Sequence, residues 1–85
     1  MEDKETYEVH LHRIDAAKNM RRYYRIAIQP TLFGEASVIR NWGRIGSGGQ
    51  TMMETFDHPD DADTALSCLE RTKRRRGYRD AGSAK

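Results

Sequence analysis

The chain has 85 residues, 36% hydrophobic and 33% charged, with a formal net charge of +2 at pH 7 and one cysteine, Cys68. At that length a single domain is expected, burying roughly 60 to 65% of its unfolded surface, without a second functional domain beside it. A lone thiol forms no internal disulfide and no cysteine-based zinc site, and the apolar runs fall far short of the roughly 20 residues that span a bilayer.

Met1–Glu8 is acidic and lacks the apolar run of a signal peptide, so a cytoplasmic protein is expected, and the single cysteine suits a reducing compartment. Cys68 reads as structural. Tyr7, Val9 and Leu11 alternate with Glu8, His10 and His12, the period of a half-buried strand with one wet face. The His10/His12 pair has no third ligand at a recognisable spacing, so no metal is expected. Asp15 to Met20 reads as a connection to a second strand, Arg21 to Gln29. There Tyr24, Ile26 and Ile28 mark the core face, while Tyr23 and Arg25 point the other way. Pro30 has no backbone donor and stops that strand, and Phe33-Gly34 leads into a third strand from about Ala36.

The third strand carries Val38-Ile39-Arg40-Asn41-Trp42-Gly43-Arg44 into a turn in which Gly46, Gly48 and Gly49 allow positive φ and close backbone approach. A P-loop would need Lys and Ser/Thr after Gly48, where Gly49 and Gln50 stand; a dinucleotide fingerprint from Gly46 would need Gly at Thr51. Both are excluded. Gln50 to Phe56 reads as a fourth strand. Asp57 or His58 then caps a helix with Pro59 in its first turn and Asp60, Asp61 and Asp63 near its positive end. Ala62, Ala65, Leu66 and Leu69 form its buried stripe, Lys73 to Arg76 suit its negative end, and Gly77 is the expected C-terminal cap. The aspartates lack the spacing of a calcium loop and are explained by capping.

The expected fold class is α+β: a small antiparallel sheet of about four strands, with room for a short fifth, and one C-terminal helix packed on one face. The domain is expected over residues 6–79, with disordered tails over residues 1–5 and 80–85. No nucleophile sits in a motif with a histidine, so a non-enzyme without cofactors is expected.

Charge is segregated along the chain, with net values of −2 over residues 1–20, +4 over 21–50, −6 over 51–70 and +6 over 71–85. Basic segments beside aromatics are the electrostatic footprint of a nucleic-acid binder. Candidate phosphate ligands are Arg40 and Arg44 beside Trp42, Arg21, Arg22 and Arg25 on the second strand, and Lys73, Arg74, Arg75 and Arg76 at the helix end. They cannot all share one face.

Trp42-Gly43-Arg44, continued by Ile45-Gly46 and Gly48-Gly49-Gln50, resembles the signature of the WGR domain, found in poly(ADP-ribose) polymerases and in small bacterial proteins. The Tyr23-Tyr24 strand before it, the helix after it and the basic run ending in Gly77-Tyr78 extend the resemblance over nearly the whole chain. It implies that Tyr78 folds back on the sheet, that Trp42 packs on the sugar of a terminal nucleotide, and that the loop containing Asn19 lies near a DNA end; the residues alone leave Trp42 open to a core or loop-bracing role instead. Arg44 is left with three readings: a phosphate ligand, a contact to another protein, or a brace for the turn. The function expected is sequence-independent DNA binding at ends or nicks by a monomer. The alternative is a protein-interaction module that regulates a separately encoded partner.

Overall fold

A computed structural model describes residues 7–81; the tail expectations for residues 1–5 and 82–85 lie outside them. Strand β1 (Tyr7–Asp15) passes through a 3-10 turn at Ala16–Lys18 into β2 (Met20–Pro30), followed by β3 (Ala36–Arg44), β4 (Gln50–Phe56), helix α1 (Pro59–Arg75) and β5 (Arg79–Asp80). The five strands form one sheet in the order β4-β3-β2-β1-β5, with antiparallel pairing at each boundary. This is the α+β arrangement expected. Strand β2 extends one residue further at each end than expected, and Pro30 is its last residue, where a missing N–H donor costs least.

Alternation in three strands supplies one apolar face, and α1 covers it. Leu11 and Ile26 are fully buried at the centre, surrounded by Val9, Tyr24, Ile28, Ala36, Val38, Ala62 and Leu66, with Phe56, Ala65 and Leu69 packed at the margin. Cys68 is exposed on the helix, so its expected structural role is corrected: it takes no part in the core. His58 occupies the N-cap position without a side-chain cap bond, and its carbonyl accepts from the Asp61 N–H at 3.0 Å. The first-turn aspartates therefore act on the helix through charge.

The helix ends in a Schellman turn. Gly77 takes φ +102°, the Tyr78 N–H donates to the Lys73 carbonyl at 3.1 Å, and the Gly77 N–H donates to the Arg74 carbonyl at 3.1 Å. That reversal folds Tyr78 back into the core, as expected. It also feeds Arg79–Asp80 into the sheet beside Leu11 and His12, and the Ala81 N–H donates to the His10 carbonyl at 2.9 Å. The expectation of disorder from residue 80 onward is thereby corrected for Asp80 and Ala81.

Tyr23 departs from the alternation argument in a different way. It lies on the face away from α1, as read, yet it is 8% exposed rather than wet. The β3–β4 turn covers it, and its hydroxyl donates to the carbonyls of Gly48 at 2.9 Å and Ser47 at 3.2 Å.

Candidate nucleic-acid interface

Register, rather than sequence proximity, assembles the site. Pairing aligns side chains across the α1 face of the sheet in rows: Val9, Ile26, Arg40 and Met52; then Leu11, Tyr24, Trp42 and Gln50; then Arg13, Arg22 and Arg44. Moving toward the β3–β4 turn, a row containing Val9 and Ile26 gives way to one centred on Tyr24 and Trp42 and then to three arginines side by side. Like charges placed opposite one another destabilise a sheet, so this last row adds nothing to folding and forms a surface suited to anions.

Trp42 stands at the boundary, partly buried against the core and partly open. Its ring is tilted 34° to that of Tyr24 at 6.2 Å, and the Arg40 guanidinium lies 5.9 Å from its centroid. On one side is a cleft of about 470 Å³ lined by Arg22, Tyr23, Tyr24, Trp42, Gly43, Arg44, Lys73 and Tyr78. On the other is one of about 290 Å³, bordered by Tyr24, Arg40, Trp42, Leu69, Thr72, Lys73 and Arg76. Tyr24, Trp42 and Lys73 are common to both. The indole is thus a partition between two basic clefts that share an aromatic wall.

Lys73 is held there by aromatic faces. Its ammonium lies 4.6 Å from the Tyr24 ring and 5.5 Å from the Tyr78 ring, and those rings pack edge to face at 6.2 Å. Burial, followed by the charges of Arg76, Arg40 and Arg22, pushes its pKa below the ordinary lysine value. Among the described residues no carboxylate pairs with Arg22, Arg40, Arg44, Lys73 or Arg76. Five cations therefore converge on one indole without an internal counter-charge.

The glycine of Trp42-Gly43-Arg44 shapes the turn by close approach. A Cβ on Gly43 would stand 2.8 Å from the Gly49 Cα, and one on Gly49 would collide with the Trp42 carbonyl and the Tyr23 hydroxyl. Glycine at both positions lets the turn fold down beside Trp42. Ser47 closes it by donating from its N–H and its hydroxyl to the Arg44 carbonyl, at 3.0 and 2.8 Å. Asn41 donates from its side-chain amide to the carbonyls of Gln50 at 2.9 Å and Gly48 at 3.2 Å.

The candidate residues divide accordingly. Trp42, Arg40, Arg44, Arg22, Lys73 and Tyr78 come together at the clefts. Asn19 joins them at the edge: it adopts a left-handed conformation at φ +52°, and its carbonyl accepts a long 3.5 Å contact from Arg44. Arg25 is placed elsewhere, on the opposite face of the sheet, where it pairs with Glu8 at 2.9 Å. Arg21 shares that face. Arg74 is engaged by Glu70 at 2.9 Å and Asp80 at 2.5 Å, which raise its pKa, Asp80 foremost. Arg75 is exposed and lies two residues beyond Lys73, about 200° around the helix.

Sequence reasoning missed Tyr24, read as core alone, and Arg13, which completes the arginine row and lies against Gly77. No sequence signal marks them; both enter through strand register. His10 and His12 meet edge to face at 5.1 Å on the opposite face. Among the described residues no group of three or more His, Cys, Asp or Glu is placed to hold a metal ion, and no helix is long and apolar enough to cross a membrane.

Residues 7–85 match the family model of the WGR domain. The chain is also similar to the uncharacterized protein y4dW of Sinorhizobium fredii, with 45% identity over 73 residues covering 86% of this chain and 36% of that protein. It thus spans about a third of the length of that curated relative. No solved structure matches the chain. WGR domains serve in poly(ADP-ribose) polymerases as nucleic-acid-binding modules that do not themselves catalyse. With Trp42, Gly43 and Arg44 all lining the first cleft and Trp42 shared with the second, this chain belongs to the WGR domain family.

Proposed function

We propose that the Trp42 clefts bind duplex DNA without sequence preference, at ends or nicks. The observation that carries the reading is the convergence of Arg22, Arg40, Arg44, Lys73 and Arg76, without a counter-charge among the described residues, around a partly open indole. Phosphate contacts supply affinity regardless of sequence, and an aromatic face accepts a sugar or base without reading its edge. An intact duplex keeps its sugars and bases within a continuous helix. An end or a nick frees a terminal nucleotide to meet Trp42 while the flanking phosphates reach the cations. Arg44 serves here as a phosphate ligand, with the Asn19 loop beside it.

The test is a binding titration against intact, nicked and blunt-ended duplexes at several salt concentrations. With three to five of the rim cations engaged, log K falls against log salt with a slope of about −3 to −4.5. A flat salt response would refute DNA binding and favour the protein-interaction alternative. Equal affinity for all three duplexes would refute selectivity for ends and nicks.

A further inference from the structure

We propose that the free edge of β4 is a self-association surface, on which a second copy of this chain pairs antiparallel with Met53 opposite Met53. Exposed strand edges are ordinarily blunted by lysine, proline, a bulge or a covering element. Among the described residues, strand β4 has none of these. Its seven residues contain no Lys or Pro, they pair residue for residue with β3 without a bulge, and all but Phe56 are exposed. Met52 and Met53 present apolar side chains that are 47% and 64% exposed. The opposite edge of the sheet differs, ending in the two-residue β5.

The occupant is identified by self-complementarity. A two-fold axis perpendicular to the sheet must set one residue opposite its own copy, because paired residues share a face. Centring on Glu54 would oppose two carboxylates, and centring on Met52 would pair only residues 50–54. Centring on Met53 pairs the whole strand: Gln50 with Phe56, Thr51 with Thr55, Met52 with Glu54, and Met53 with itself.

In this register the charges are complementary as well. Arg40 pairs across the sheet with Met52, and its guanidinium lies against the Met52 sulfur. Glu54 of the second copy, opposite Met52, therefore comes beside Arg40 on the α1 face, and the contact occurs twice by symmetry. Helix α1 runs mainly over β2 and β3. Strands are spaced about 4.8 Å apart, so the two helices lie roughly 19 Å from each other and do not collide.

One seven-residue pairing is at the low end of interface sizes, so association is expected between about 10 µM and 1 mM. In sedimentation equilibrium over that range the average mass should rise from 9.8 kDa toward twice that value. Met53→Lys sets two ammonium groups against each other and should stay monomeric, with an unchanged circular dichroism spectrum. Register is tested by oxidising Met53→Cys and Thr55→Cys variants in a Cys68→Ser background. A thiol at position 53 would face its own copy within disulfide reach, whereas two thiols at position 55 would be roughly 14 Å apart. A linked dimer from the first variant and none from the second supports the register. A wild-type chain that stays monomeric to about 1 mM, a Met53→Lys variant that associates as well as wild type, or equal linkage at both positions would overturn the proposal.

Discussion

Lys73→Met separates a binding cation from a structural one, because the two roles predict different outcomes in affinity and stability. Methionine keeps most of the unbranched stem that lies along Tyr24 and Tyr78 and removes only the ammonium. Removing the charge forfeits a cation-π contact worth about 0.5 to 1 kcal/mol at a partly exposed site. It also relieves the repulsion from Arg76, Arg40 and Arg22 that depresses the lysine pKa. The terms oppose each other, so stability should stay within about 1 kcal/mol of wild type, or about 4 to 8 °C in Tm. Affinity has no such compensation. One phosphate contact contributes about 0.9 to the salt slope, which at 0.1 M salt is roughly 8-fold in K. Fluorescence anisotropy with nicked duplex across a salt series, alongside thermal melts, reads both quantities. An unchanged slope would remove Lys73 from the interface. A Tm loss well beyond about 8 °C with the slope intact would make it a structural cation.

Trp42→Ala should fold, and should weaken binding to nicked or ended DNA by about 5- to 150-fold, with a smaller loss for intact duplex; equal losses on all forms would refute sugar stacking. Replacing Arg74 and Arg75 together by Ala should leave the salt slope unchanged, since Glu70 and Asp80 already engage Arg74 and Arg75 is turned away; a slope lowered by about 1 or more would return them to the interface. Gly43→Ala should cost about 1 to 3 kcal/mol in urea unfolding, because its Cβ meets the Gly49 backbone at 2.8 Å, and a cost below about 0.5 kcal/mol would show that the turn yields freely. Burial, then His12 and Arg25, lower the His10 pKa below 6.5. The unfolded chain therefore binds this proton more readily, so stability rises with pH as the medium passes upward toward and through 6.5, and His10→Asn should flatten the Tm gain between about pH 5 and 7. An undiminished gain would exclude His10 as its source.

Local chemistry made the elements legible from the sequence. Pro59 and the following aspartates mark where α1 starts, the Ala62, Ala65, Leu66 and Leu69 spacing identifies its buried stripe, and Gly77 sets its end. The alternation of Tyr24, Ile26 and Ile28 likewise identified the core face of β2. These signals survive because caps, prolines and periodicity act over a few residues, whatever the rest of the chain does. The Trp42-Gly43-Arg44 word placed the family through its order among the Tyr23-Tyr24 strand, the helix and the basic run ending in Gly77-Tyr78.

Tertiary structure decided which of the many cations share a surface. A strand shows alternate residues on alternate faces, so Arg22 and Arg25, three residues apart, part company: Arg22 joins Arg44 and Arg13, while Arg25 turns to Glu8. A helix rotates about 100° per residue, so Lys73 and Arg76 reach the clefts while Arg75 faces away. Tyr23 was buried by a turn more than 20 residues later in the chain, and Tyr24 became the shared wall of two clefts through its cross-strand pairing with Trp42. Composition records how many charges a segment carries. Only strand register and helix rotation, both set by burial of the apolar face, determine which charges point to the same place.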